Sequence, residues 1–230
     1  VGATMVFGSI LPGASPGTLS TGNLTFAAQG DYFVELNGPT PGSCGACYDQ
    51  LAVSGIVDLG GSTLHVAYNG FGATPGQTFT IVSNDGSEAV VGTFGGLPNL
   101  AYLTSNGAEF QITYSGIFSN DVVLTAVAPP FASISPGSMS GCGAVNQLLT
   151  ATPAGGNGDY TSYQWYRNGG AIGGATSSTY NATQSGSYTV TVTDSLGVTG
   201  PQSAATALGD TTAPTISAPP GATVTQTTCQ

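Results

Sequence analysis

Gln77-Thr78-Phe79-Thr80-Ile81-Val82 is the run that decides the fold class. Phe79 and Ile81 alternate with Thr78 and Thr80, so an extended backbone puts the apolar pair on one face and the threonines on the other. Comparable runs recur along the chain: Asp31-Tyr-Phe-Val-Glu-Leu36, Thr63-Leu-His-Val-Ala-Tyr68, Phe110-Gln-Ile-Thr-Tyr114 and Val122-Val-Leu-Thr-Ala-Val127. Each is rich in β-branched or aromatic residues, and clusters of Gly, Asn, Asp and Ser separate them. Good helix formers are scarce, and Gly or Pro interrupts every window of helical length. The expected fold class is all-β.

The composition narrows the function. Among 230 residues there are 36 Gly, 14 Pro, one Lys or Arg, eleven Asp or Glu and one His, for a formal net charge of −10. Charged residues make up 5%, against about 25% in an ordinary soluble domain. Hydrophobic residues are 40% of the chain, enough for a core and too many for a disordered chain. Arg167 is the single basic side chain. It cannot neutralise a row of phosphates or an anionic membrane surface, so nucleic acid and membrane surfaces are excluded as partners. No apolar run approaches the roughly 20 residues of a spanning helix, so membrane insertion is not expected. Val1 opens no signal-peptide pattern, which reads as a mature chain or a piece of a longer one.

Three stretches separate. Residues 1–128 are Gly-rich and hold every Phe except Phe131. Ala128-Pro129-Pro130 is a natural hinge, since Pro removes backbone donors and fixes φ. Residues 129–208 follow with a different rhythm, and residues 209–230 are too short for a core of their own.

The middle stretch resembles an immunoglobulin-like domain. Trp165, within Tyr163-Gln-Trp-Tyr-Arg-Asn-Gly169, is similar to the core Trp of strand C, and Gln184-Ser-Gly-Ser-Tyr-Thr-Val190 to the tyrosine-corner run that starts strand F. The resemblance implies that Tyr188 is the corner residue and that Val190 stands where antibody domains carry their second Cys. Its strand B partner would be Leu148 or Leu149, with apolar packing in place of the disulfide. Asp194-Ser-Leu-Gly197 would be the F–G turn. The tail, Asp210-Thr-Thr-Ala-Pro-Thr-Ile216 with Pro219-Pro-Gly-Ala-Thr-Val224 and Cys229, resembles the opening of a hyalin-type (HYR) repeat of bacterial surface proteins. It implies one strand without a sheet of its own. The first stretch resembles the β-solenoid segments of autotransporter-like bacterial surface proteins. The resemblance rests on Leu11-Pro-Gly-Ala-Ser-Pro-Gly-Thr-Leu19, Tyr32–Asn37, Tyr48–Val53 and Val57–Leu64. It continues through Gly76–Val82, Gly92–Phe94, Phe110–Tyr114 and Asn120–Thr125. It implies a β-solenoid, or else a β-sandwich, with open sheet edges at its ends.

Candidate chemical groups are few. Cys44-Gly-Ala-Cys47 is a C-x-x-C in a Pro- and Gly-rich loop. A redox pair would need a helix N-terminus after a strand, and zinc a second close pair; a structural disulfide is the simpler reading. Four cysteines allow three pairings, and Cys44–Cys47 with Cys142–Cys229 is preferred. An even cysteine count in a charge-poor chain suits an oxidising, extracellular setting. His65, between Leu64 and Val66, is expected to face solvent or make a hydrogen bond, since no second His or placed nucleophile completes a triad. Asn84-Asp85-Gly86-Ser87-Glu88 reads as a turn, with Asn84, Asp85 and Glu88 as a weak calcium candidate. Glu35, Asp49 and Asp58 are dispersed in sequence and suggest no paired-carboxylate site. Asn23-Leu-Thr25 and Asn181-Ala-Thr183 match the N-glycosylation pattern, and exposed Thr and Ser offer O-glycan positions. The aromatic residues read first as core or interface, with a sugar-binding groove as the alternative.

These readings converge on a non-enzymatic extracellular structural protein without cofactors. It would be a subunit of a surface filament, sheath or layer, assembled by strand complementation between copies or with neighbouring modules. Val1, Met5, Val6 and Phe7, or Val224 in the tail run Ala222–Thr227, would supply the donor strand. Low charge leaves little to desolvate between subunits and, with no Lys, little for trypsin-like proteases to cut. The alternative is an adhesin or carbohydrate-binding segment of a large surface protein. A hydrolase would need a pocket gathering Asp or Glu with His65.

Overall fold

The computed structural model describes residues 2–13, 16–85, 87–115, 120–139 and 145–209. Every regular element among them is a strand, and none of the sheets closes into a barrel. The chain divides into two compact units, Val1–Ala128 and Pro129–Gln230.

The first unit repeats one itinerary three times. β1 (Thr4–Val6), β2 (Ser9–Ile10) and β3 (Thr18–Thr21) form the first pass. β4 (Leu24–Phe26) and β5 (Asp31–Leu36) begin the second. The short β6 (Thr40–Pro41) and β7 (Cys47–Tyr48) interrupt it, and β8 (Gln50–Val53) completes it. The third comprises β9 (Val57–Asp58), β10 (Thr63–Tyr68) and β11 (Thr78–Asn84). Corresponding strands stack in parallel as β1-β4-β9, β2-β5-β10 and β3-β8-β11. Alternation turns one set of side chains inward from each stack. Tyr32, Val34 and Leu36 of β5 are buried, as are Leu51 and Val53 of β8 and Phe79 and Ile81 of β11. The Tyr32 hydroxyl donates to the Ile81 carbonyl at 2.7 Å, so the deepest tyrosine keeps its polar end satisfied. Gly60, at φ +55°, turns the chain between β9 and β10; a Cβ there would strike the Phe26 carbonyl.

One end of this unit is closed. β12 (Tyr102–Ser105), β13 (Ala108–Thr113) and β14 (Val122–Ala126) form an antiparallel meander that pairs β14 with the outer edge of β11. The turn Asn106-Gly107, with φ of 47° and 75°, joins β12 to β13 in the left-handed region that tight hairpins require. Val91 bridges the outer edge of β9, accepting from Leu59 N and donating to Val57 O. Ser105 Oγ does the same for β10, accepting from Tyr68 N and donating to Val66 O.

The strands of the second unit pair antiparallel, with one isolated parallel bridge between Met139 and Leu208. β15 (Phe131–Ser135), β16 (Gln147–Ala154) and β19 (Thr179–Ala182) make one sheet in the order β15-β16-β19. β17 (Tyr160–Arg167), β18 (Gly170–Ala171), β20 (Gly186–Asp194) and β21 (Thr206–Leu208) make the other, in the order β18-β17-β20-β21. Both contribute to one core: Leu149, Ala151 and Ala182 from the first, Trp165, Tyr188, Val190 and Val192 from the second. Of the two leucines proposed as partner to Val190, Leu149 is buried and Leu148 is 55% exposed. Trp165 lies in register with Val190, and its Nε1 donates to the Ser177 carbonyl at 2.9 Å. The Tyr188 hydroxyl donates to Gln184 O at 2.6 Å.

The runs quoted for strands appear as β5, β10, β11, β13 and β14, the first two with identical bounds. The alternation in β11 fails at one point: Ile81 and Val82 are both buried because the register with β14 shifts between Thr80 and Val82. β1 lies beside β4 in its own unit, with Val6 in the core. Val1, Cys142, Val224, Cys229 and the tail that resembles a HYR opening lie outside the described residues.

Candidate functional site

On β5 and β10 the residues between the inward ones face outward. Their register sets Asp31 beside Thr63, Phe33 beside His65 and Glu35 beside Ala67. The Phe33 and His65 rings stack in parallel, with centroids 4.3 Å apart and planes 9° apart. His65 Nε2 lies 2.9 Å from Asp31 Oδ1, and both side chains are accessible, at 44% and 35%. His65 therefore takes the hydrogen-bonded, solvent-facing place expected of it.

Asp49 completes the arrangement from the bend between β7 and β8. Its backbone N–H donates to Glu35 O, its Oδ2 accepts from Glu35 N at 2.8 Å, and its Oδ1 accepts from Gly17 N at 2.6 Å. Only 3% of Asp49 is exposed. Burial pushes its carboxyl above the ordinary carboxylate range; the donors at Glu35 and Gly17 pull the other way, and the Glu35 charge adds to the rise. Leu11, Pro12 and Gly13 of the first pass close the rim. The result is a groove of about 350 Å³, walled by Leu11, Phe33 and His65, with Glu35, Ala67 and Asp49 along its lining.

Glu35 and Asp49, dispersed in sequence, thus line one groove. A strand and a bend, brought together by stacked passes, place both carboxyl groups and His65 on one groove. What the groove can do is limited by Asp49. Both of its oxygens accept backbone donors, so it holds β5 against the turn before β3. A carboxylate pair acting as acid and base must present both groups to the substrate, and the two backbone donors on Asp49 keep it from that part. Asp58 lies elsewhere, its Oδ1 accepting from Gly60 N in the turn after β9.

The remaining candidates have local structural parts. Cys44 and Cys47 form a disulfide, with Cα atoms 5.2 Å apart. Asn84 N donates to Asp121 Oδ1, and Asn84 Nδ2 donates to Glu88 O, closing the turn across Asp85. Among the described residues no three His, Cys, Asp or Glu gather as metal ligands. Asn23 is exposed and its Oδ1 accepts from Ile56 N; Asn181 is exposed and its Nδ2 donates to Asn146 Oδ1. In the second unit, Arg167, Ile172, Tyr180 and Gln184 line a separate groove of about 370 Å³. Among the described residues no helix is long and apolar enough to cross a membrane. No protein-family profile matches the chain. A search of curated proteins returns no match.

Proposed function

We propose that this chain is a non-enzymatic structural protein of the cell exterior, a subunit of a surface filament, sheath or layer. Its copies, or neighbouring modules of one surface protein, would join by strand pairing. One observation carries the reading. Among the described residues β1, β2 and β3 each have a stack partner on one side only, in contrast to the closed edges of β9, β10 and β11. Proteins usually protect such edges with charge, yet no Asp, Glu, Lys, Arg or His occurs between Val1 and Gly30. Met5, Phe7 and Leu11 are 60%, 73% and 63% exposed on this same pass.

Other features support the setting. The threefold parallel stacking suits a β-solenoid segment. The core Trp165, the Tyr188 bond to Gln184 O and the two-sheet order suit an immunoglobulin-like domain of a bacterial surface protein. The Cys44–Cys47 disulfide suits an oxidising compartment. Because Val6 is seated in its own core, the edge of β1 does the joining while the strand itself stays home. Electron microscopy and sedimentation of the protein at neutral pH test this. Fibres or sheets are expected, and Met5→Lys with Leu19→Lys, which put charge on the edge strands, should leave monomers. Wild-type protein that stays monodisperse at high concentration would sink the assembly reading.

A further inference from the structure

We propose that the groove at the Arg167 end of the second unit is a binding site for a small sugar acid, gripped by its carboxylate. Arg167 is the single Lys or Arg of the chain, set against eleven Asp and Glu. Yet among the described residues no carboxylate pairs with it. Distance explains this within its own unit. Residues 129–209 carry two acids, Asp159 and Asp194. Tyr160 pairs with Asp194 near one end of β17, and Arg167 pairs with Tyr188 at the other. That sets the acids ~20 Å or more from Arg167 along the strands. An unpaired guanidinium offers a planar fork of donors that matches one carboxylate through two parallel hydrogen bonds.

The fork is held in place before a ligand arrives. Arg167 precedes the turn Asn168-Gly169, whose φ of 50° and 82° fold β17 tightly back into β18. Asn168 N donates to Ser187 O, and Asn168 Oδ1 accepts from Ser187 N, each at 2.8 Å, which fixes this end of β17 on β20. The Arg167 stem lies over Gly186, where an added Cβ would come within 2.9 Å of Arg167 Cγ. The Tyr188 hydroxyl stands beside the guanidinium. It donates its own proton to Gln184 O, so toward Arg167 it can only accept. Burial lifts that hydroxyl above the ordinary tyrosine range; Tyr180 adds to the rise, and the Arg167 charge pulls the other way.

The rest of the groove suits a hydroxylated ligand. Its volume of about 370 Å³ is at the small end of ligand sites. The Tyr180 hydroxyl and the Gln184 amide both donate and accept, as sugar hydroxyls do, and neither side chain bonds to a described residue. Gly170, Ala171 and Ile172 add a small apolar surface that fits the C–H face of a sugar ring. The net charge of −10 repels polyanions, so the fitting ligand carries one carboxylate and not a run of them. The site does not depend on strand pairing through β1, β2 and β3.

Isothermal titration calorimetry with sodium D-glucuronate tests the proposal, and saturable binding at one site per chain is expected. D-Glucose, the same ring without the carboxylate, should bind at least about tenfold more weakly, the scale of a lost charge-assisted hydrogen bond. Arg167→Lys keeps the charge but loses the fork, and should weaken glucuronate binding roughly tenfold. Ala171→Phe keeps Arg167 but fills the groove, and should abolish binding; circular dichroism checks that both variants are folded. The proposal is overturned if glucuronate gives no binding heat, if glucose binds equally well, or if neither variant changes the affinity. Acetate binding as tightly as glucuronate would mark a bare anion site and overturn it. Glucuronate binding only after Asp210→Asn would assign Arg167 to the chain's own acid and overturn it too.

Discussion

At the scale of single residues, Asp49 ties two passes of the first unit together. One carboxyl group holds two backbone donors, Gly17 N and Glu35 N, from two different passes of the first unit. Asp49→Ala leaves both donors without their partner, which costs on the order of 2–4 kcal/mol; urea unfolding followed by circular dichroism measures it. The pH dependence follows from the raised carboxyl. Its folded-state pKa lies above the ordinary 3.8, so its ionisation is disfavoured on folding. Its contribution to stability is therefore full below about 4 and is lost as pH rises through the folded-state value. Stability of the wild type relative to Asp49→Asn should fall as pH is raised from 3.5 to 7, roughly, across that window. A difference that is flat with pH would refute this assignment. Nothing in the sequence around Tyr48-Asp49-Gln50 marks this role, because both donors come from residues distant along the chain.

At the scale of elements, a single hydroxyl caps the middle one of the three outer edges at the closed end of the first unit. Ser105, the last residue of β12, reaches the outer edge of β10 and bonds both Tyr68 N and Val66 O. That pair of contacts substitutes for a fourth strand at the centre of the edge. Ser105→Ala should destabilise the unit by about 1–2 kcal/mol, the penalty for leaving part-buried backbone groups unpaired. Ser105→Thr, which retains the hydroxyl, should recover part of it; thermal unfolding of the two variants compares them. The strands themselves were legible before the structure. β5 and β10 have alternation long enough to name their bounds, and the stretch between them is rich in Gly. Strands of two or three residues, such as β2, β6, β7 and β9, were not legible, since a period of two cannot be read from two residues. Their existence depends on longer strands that offer a template to pair with.

At the scale of the whole molecule, the near absence of basic residues makes a simple test. Trypsin has one target, after Arg167. That residue ends β17, pairs with Tyr188 of β20 and with Gly170 of β18, and is only partly exposed. The native chain should resist trypsin over hours, while the unfolded chain should yield two fragments, 1–167 and 168–230. Rapid cleavage of the native protein would show that β17 opens locally. Residue chemistry alone gave the all-β class and the close Cys44–Cys47 pair, and the expectations of a boundary at Pro129-Pro130 and of no phosphate-rich partner. Each of these depends on local periodicity, on spacing of a few residues or on a count of charges, and none needs a distant contact. Tertiary structure alone decided that Leu149 and not Leu148 enters the core, that among the described residues one end of the first unit is sealed while the other is not, and that Glu35, Asp49 and His65 share a groove. Those outcomes follow from pairing register between strands up to dozens of residues apart, and a register is set by the packing of the whole core.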